Sequence, residues 1–514
     1  MHTSYVLKIS LEFVLLPYAC TRGWLDIVFT GGISPRYGIK LIKRVACCGL
    51  VGCLSLWDND GVMRRGRYLI SASLILGLMI LMLFLLCQGM ASQNVVMPKP
   101  IPEDVVGAIW DFRLMTGAEG RIEKYRKGDA TVIVTDGEGV PVPAKVTAEM
   151  LQHDFLFGCG LLNLNSYQSK MLNEKYEQYF LELFNYATLP FFWDGYEPEP
   201  GNTAEDYIRG AVSWAKSKGI VVQGHPLIWA LSEPGWAVEY CPDEMEVLQQ
   251  SRISGIVKRF CPLVDYWNVL NEPCLHLEDS GAVGKWLQAY GIDAVTIKAL
   301  ELARANCGEA KLLVNDFNVS DEYLSFLQNL VEQKAPLDAI GLQAHMHGGV
   351  WRLNYIWDIC ERFSRFGIPL QFTEVTVLSG GLQQHDGDDY GGTTEEAESY
   401  QAKYVSALYT LLFSHPAVEG ITWWDLSDLN AWKGAPAGLL RRDMSPKPAY
   451  ESLRRLIKVA WWTNESILCN GEGVAKWRGF YGLYRLSIEH EGKKMVTDVH
   501  LAKNADNVFR LRLP

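Results

Sequence analysis

From Phe155 onward the chain repeats one pattern: a short apolar run, then a longer stretch in which apolar residues recur at helical spacing. The apolar runs predict buried strands near Phe155–Gly158, Tyr186–Phe192, Ile220–Gly224, Val264–Leu270, Lys311–Val314, Ala339–Gln343, Pro369–Thr373 and Gly420–Trp423. Two intervening segments carry helix start signals. Thr203 and Asp206 form a capping-box pair ahead of Ile208, Val212 and Ala215, with Gly219 as the stop; Thr393 and Glu396 precede Tyr404, Leu408, Leu411 and Leu412. Strands alternating with helices predict a parallel sheet covered on both faces, hence an α/β fold. Eight such units of roughly 30–45 residues predict a closed (β/α)8 barrel, placed at 151–457. An open doubly wound sheet is the competing arrangement, but no Gly-rich phosphate loop supports a nucleotide there.

Outside the barrel the pattern changes from helical to alternating. Thr131–Thr135 is β-branched throughout, Asp136-Gly137 supplies a turn, and Val146–Glu149 reads as the returning strand of a small β segment within 94–150, which opens on the Pro-rich linker Met97–Pro102. After Trp461, alternation at Tyr484, Leu486 and Ile488, a Glu491-Gly492 turn, and runs at Met495–Val499 and Val508–Leu513 predict a second β segment over 458–514. Neither piece is large enough to bury a core alone, so the two are expected to pack together as one small sandwich beside the barrel, with a structural role favoured over carbohydrate binding.

The N-terminal pattern is different again. Leu69–Leu86 holds no charge, Arg64, Arg65 and Arg67 precede it, and Gly89-Met90-Ala91 follows with small residues where a signal peptidase reads. This predicts a signal peptide or uncleaved membrane anchor over 63–93, with the bulk of the chain exported. Residues 1–62 then read as a cytoplasmic extension or an over-extended gene start, with Met63 as the true first residue.

Composition and charge narrow the function. The 514 residues are 48% hydrophobic and 21% charged, an ordinary globular balance. Net charge is −11, and residues 1–91 carry nine Lys/Arg against four Asp/Glu, so the rest is more acidic still. With no basic stripe, nucleic acid is not expected as a partner. Five of the 12 cysteines precede Gln88; the other seven are Cys159, Cys241, Cys261, Cys274, Cys307, Cys360 and Cys469. They are scattered, allow at most three disulfides, and show no metal spacing; no cofactor is implied.

The candidate chemistry lies at the strand ends. Tyr266–Leu270 runs into Asn271-Glu272 before Pro273, and Ile368–Thr373 runs into Glu374. A carboxylate at the tip of a buried strand loses hydration, which raises its pKa towards the range of a general acid, and two such groups are the minimum needed to split a glycosidic bond. In a (β/α)8 barrel the working groups sit at the C-terminal strand ends. The third predicted strand ends at Gly224-His225 with Trp229 beyond, the fifth at Asn315, the sixth at Gln343 and His345, and the eighth at Trp424, followed by Asp428 and Trp432. A lone buried histidine is usually a core residue. Six strand ends carrying polar and aromatic groups at one rim argue for a site.

These residues resemble glycoside hydrolase family 10, the retaining endo-β-1,4-xylanase family on a TIM barrel, over about 155–457. The resemblance rests on Gly224–Trp229, Trp267–Glu272, Asn315–Asn318, Gly341–His345, Phe372–Glu374, Thr422–Trp424 with Asp428 and Trp432, Ala437–Leu440 and Pro446–Tyr450. It implies Glu272 as acid/base and Glu374 as nucleophile. It implies Asn271 as the partner of the sugar 2-hydroxyl and His345 as the histidine that orients the nucleophile. Gln343, His225 and Asn315 would support them, Trp424 and Trp432 would wall the sugar site, and Trp229 would either join them or belong to the core.

Three departures qualify the resemblance. Where the family carries Glu-Asn and a Lys before a Trp, this chain reads Thr188-Leu189-Pro190-Phe191-Phe192-Trp193, so the groups that bind the distal sugar on the non-reducing side are missing while Trp193 keeps its place. Ala230 stands for a frequent His, and Phe317 for Tyr. The expected function is an exported retaining glycosidase acting on a β-linked plant cell-wall polysaccharide, most simply xylan. The alternatives are a relative acting on another β-glycan and a non-catalytic sugar-binding barrel; the presence of Glu272, Glu374 and His345 together favours an enzyme.

Overall fold

The computed structural model describes residues 112–277, 281–380 and 392–514, together with the backbone of strands between Trp24 and Arg65. The chain forms two compact units, Met1–Val96 and Met97–Pro514. In the first, Trp24–Ser34 pairs antiparallel with Tyr37–Ala46, which pairs in turn with Cys53–Asp58. The apolar run 69–86 read as a signal or anchor lies outside the described residues; among the described residues no helix is long and apolar enough to cross a membrane.

In the second unit the eight predicted strands are present and close into a parallel barrel: Leu156–Gly160, Tyr186–Pro190, Val221–His225, Tyr266–Asn271, Lys311–Asp316, Ala339–Met346, Leu370–Val377 and Val418–Trp423. Closure is made by Gly420 to Trp423 pairing with Leu156 to Cys159, so the eighth strand meets the first. The strands are buried along nearly their whole length because helices cover the outside and side chains fill the inside. This is why they read as unbroken apolar runs.

The helix signals were right in place and wrong by a residue or two in detail. The helix predicted from Thr203 spans Glu205–Ser217 with Ala204 at its N-cap and no side-chain cap, so the Thr203–Asp206 box does not form; Gly219 ends it with φ of 72°. The later helix spans Glu395–Ser414, and it is Thr394, not Thr393, whose hydroxyl accepts from the Ala397 N–H at 3.2 Å. Thr393 hydrogen-bonds Ser379 and Glu398 instead.

The flanking β segments share their sheets. Lys127–Thr135 lies between Val474–Phe480 and Val508–Arg512; Lys145–His153 lies between Asn464–Leu468 and Gly482–His490, which also pairs with Lys493–Leu501. The expected hairpin between the first two strands is therefore corrected: each joins a different sheet. Pro141 and Pro143 cannot donate to a ladder, and Asp136 accepts the Glu138 and Val140 amides, which turns the chain out of the first sheet. Two helices not read from the sequence, Phe112–Thr116 and Ala118–Tyr125, precede the first strand. The outward positions of the paired strands at 482–501 carry ion pairs, Arg485–Asp498 and Lys494–Glu489, rather than a row of aromatic rings.

The seam between these sheets and the barrel holds a partly buried cation. The Arg126 guanidinium donates to the carbonyls of Phe413 at 2.5 Å, His415 at 2.5 Å and Val418 at 2.7 Å, and stacks over Phe155. Burial pushes its pKa down to about 9. Of the seven cysteines after Gln88, Cys261 and Cys307 form a disulfide that ties the ends of helices Pro242–Phe260 and Ile292–Asn306.

Candidate active site

The predicted rim residues converge. Glu272 follows directly on the fourth strand, and Glu374 lies within the seventh. Two asparagines and a glutamine join them. Gln343 Nε2 donates to Glu272 Oε1 at 3.1 Å and to Asn271 Oδ1 at 3.4 Å. Asn315 Nδ2 donates to Asn271 Oδ1 at 2.9 Å and to Glu374 Oε1 at 2.6 Å. With Asn268 Nδ2 also donating to it at 3.0 Å, Asn271 Oδ1 accepts three amide donors, so it is the Asn271 NH2 that is left to face a ligand. Strand geometry makes this possible. A register shift between Asn268 and Leu270 lets Asn268 and Asn271, three residues apart, share one network. On the sixth strand Gln343 and His345 share a face by simple alternation. Gly341 is required beside them, because a Cβ there would stand 2.6 Å from Asn315 Oδ1.

The two histidines are each held on both ring nitrogens. Thr376 Oγ1 lies 2.8 Å from His345 Nδ1, while His345 Nε2 lies 3.0 Å from Glu374 Oε2. Asn268 Nδ2 donates to His225 Nδ1 at 3.0 Å, while His225 Nε2 lies 3.8 Å from Glu374 Oε1. The Asn268 amide can only donate, so His225 carries its proton on Nε2; the Thr376 hydroxyl can donate or accept, and it is the Glu374 oxygen that places the His345 proton on Nε2. Burial pushes His345 down to about 3, and His225 is lowered for the same reason, so neither ring competes with the carboxylate as a charged partner. Asn268, Thr373 and Thr376 were missed from the sequence. Their signal was available: each is a polar residue inside a buried apolar strand, and Thr373 donates to Asn315 Oδ1.

The carboxyls sit in different fields. Glu272 is raised first by burial and then by the charge of Glu374, against the pull of Gln343 and of Trp229, whose Nε1 donates to Glu272 Oε2 at 2.8 Å. Glu374 is also raised by burial, but His225 and Asn315 oppose that shift, and His345 donates to its second oxygen. Each carboxyl thus has a donor on both oxygens; Glu374 has His225 beside it as well, and the charge of Glu374 is the second cause that raises Glu272. Glu272 also has φ of 57°, a conformation that costs a non-glycine residue about 1–3 kcal/mol.

The aromatic predictions divide. Trp432 is 43% exposed and lies across His345 with ring centres 4.7 Å apart. Trp424 is buried behind His225 and His345 as a floor. Trp229 is neither core nor simple wall: it donates to Glu272. Trp193 is corrected. It is only 3% exposed, with Trp236 packed edge-on at 5.4 Å and Arg252 over its ring, so it offers no open stacking face. Leu189 and Phe191 are buried, and it is Phe192 that reaches the rim, against His225 and Trp229. Asp428 is paired with the buried Lys447 at 2.7 Å.

A closed parallel barrel with paired carboxyls at its C-terminal rim is an arrangement that glycosidases, enzymes that hydrolyse O-glycosyl bonds, employ. The profile of Glycosyl hydrolase family 10 matches residues 148–456, and the chain belongs to that family. Among curated proteins it is 27% identical over 336 residues to the endo-1,4-beta-xylanase B of Thermotoga neapolitana, covering 62% of this chain and 92% of that one. It is 26% identical over 385 residues to the anti-sigma-I factor RsgI6 of Acetivibrio thermocellus, covering 73% of this chain but spanning only 47% of that protein. Among solved structures, xylanase 10B from Thermotoga petrophila RKU-1 in complex with xylobiose superposes with a TM-score of 0.51 at 24% identity, over 59% of this chain and 94% of that one, which establishes the shared fold.

Proposed function

We propose that the protein is a retaining endo-glycosidase that cleaves the β-1,4-linked backbone of xylan outside the cell. The observation that carries the mechanism is the network joining Glu272 through Gln343, Asn271 and Asn315 to Glu374. In the first step the Glu374 carboxylate attacks the anomeric carbon, the glycosidic C–O bond breaks, and the Glu272 proton passes to the leaving oxygen. In the second, Glu272, now ionised, takes a proton from water as that water displaces Glu374. The Asn271 amide serves the sugar 2-hydroxyl, and Trp432 gives the ring a flat wall. The polysaccharide class rests on the family and on the xylanase relative; the Cys261–Cys307 disulfide and the apolar run 69–86 support an oxidising, exported setting.

NMR of the first-formed product tests this reading. Xylan or an aryl β-xylobioside should release the β-anomer first. An initial α-anomer would reject the pairing of roles.

A further inference from the structure

The turn that carries Glu272 is held from the fifth strand, by groups the reaction itself does not use. Glu272 is a non-glycine residue in the left-handed region, and it precedes Pro273, which further restricts its backbone. Left alone, this peptide would relax to an extended conformation and swing the carboxyl away. Three contacts oppose that. The Glu272 N–H donates to the Asn315 carbonyl at 2.7 Å. The next two come from Asp316. Its Oδ2 accepts the Cys274 N–H at 2.8 Å, and its carboxylate also takes the Cys274 thiol as a donor. Asp316 Oδ1 accepts the Asn318 N–H at 2.7 Å, which fixes the carboxylate in its own loop. Asp316 is fully buried, follows the Asn315 that binds Glu374, and makes these contacts with the backbone on the far side of Glu272.

We infer that Asp316 is a positioning residue for the acid/base: it locks the 272–274 turn so that the Glu272 carboxyl stays within reach of the leaving oxygen. The inference rests on the reading of Glu272 as acid/base. A buried carboxyl that accepts the Cys274 and Asn318 amides, its pKa pushed up to about 7 by burial, is otherwise a costly way to build a loop, since a shorter neutral side chain would cap the turn without burying an ionisable group. Asp316 touches no substrate. Its effect should therefore appear only where proton donation by Glu272 limits the rate.

The experiment compares kcat/KM for aryl β-xylobiosides whose leaving groups range from phenol to dinitrophenol, on the full chain, for Asp316→Ala, Asp316→Asn and Glu272→Ala. Misplacing the acid by about 1 Å costs on the order of 100-fold. Asp316→Ala should lose roughly that factor on the phenyl substrate and less than about 3-fold on the dinitrophenyl substrate, which needs no protonation. Asp316→Asn keeps one acceptor oxygen for two amide donors and should show the same slope with a smaller loss, about 10-fold on the phenyl substrate. If Asp316→Ala does not fold, Asp316→Asn decides alone. Equal losses on all leaving groups in the Asp316 variants, beside a steep leaving-group dependence in Glu272→Ala, would show a merely structural role and overturn the inference. No leaving-group dependence in Glu272→Ala would instead overturn the assignment of Glu272, a separate failure.

Discussion

At the N-terminal end of the barrel the Arg126 guanidinium donates to the carbonyls of Phe413, His415 and Val418, whereas at the C-terminal end Glu374 and Glu272 receive their donors from side chains. Both ends bury charge. At the lower end the charge is a fastener: it satisfies backbone groups where the helix Glu395–Ser414 passes into the eighth strand, and its partners come from protein alone. At the upper end each carboxyl is oriented by side chains that are themselves oriented, Thr376 behind His345 and Asn268 behind His225. The difference teaches how to separate a structural buried charge from a working one. At the lower end the hydrogen bonds close on backbone carbonyls and serve the fold; at the upper end a relay of side chains holds each carboxyl, and Asp316, bonded to backbone amides, serves that relay by fixing the turn of Glu272.

Removing one charge from each end should separate the two roles. Glu374→Ala should reduce turnover by roughly 10⁴-fold or more on every substrate, activated or not, because no covalent intermediate forms, while the melting temperature is kept or raised. Retained turnover on an activated aryl glycoside would break the comparison at its upper end.

Arg126→Met should do the reverse. Three carbonyls lose their donor, at a cost of about 3 kcal/mol in stability, while kcat/KM per folded molecule stays within about 2-fold. Urea unfolding measures the first and active-site titration the second. A variant as stable as the parent would show that water replaces the guanidinium and that the seam is not held by it.

Asp425 sharpens the comparison, since it lies at the rim but is less well served. Its Oδ1 accepts the Trp432 N–H at 3.1 Å, and burial, aided by Asp428, pushes its pKa up to about 7. The unfolded chain therefore ionises this group at lower pH than the folded one does. Its contribution to stability is present below the unfolded value near 3.9 and is lost as pH rises to about 7. Asp425→Asn keeps the acceptor for Trp432 and removes the charge. It should stabilise the fold by about 2 kcal/mol at pH 8 and by little at pH 4. Thermal melts at the two pH values check the sign; an equal effect at both would mean the carboxyl is not the titrating group.

The smallest expected effect lies in the distal part of the cleft. Phe192 stands where hydroxyl-binding groups are expected, and Trp193 is covered. Two or three missing hydrogen bonds should lower kcat/KM on short linear xylo-oligomers by roughly tenfold relative to decorated xylan or mixed-linkage glucan. High efficiency on linear xylotetraose would show that other rim groups compensate.

Much of this was legible in the sequence because the barrel writes itself locally. Each strand must be apolar while it is covered on both faces and turns polar where it reaches the rim, so runs such as Trp267–Glu272 and Phe372–Glu374 mark both a strand and its working end. Chain order alone then places Gln343, His345 and Asn315 at the same rim. What the tertiary structure decided was the choice among partners distant in sequence. Trp229 was open between core and wall until its Nε1 met Glu272, 43 residues away. Trp193 kept its expected place in the chain and lost its surface to Trp236 and Arg252. Lys127–Thr135 and Lys145–His153 alternate as a hairpin would, but each found better neighbours in strands more than 300 residues later. Seven scattered cysteines did not say that Cys261 meets Cys307. Hydrophobic period reports whether a residue is covered, and by how regular an element. Which residue covers it depends on loop closure and packing across the whole chain, and no local pattern carries that information.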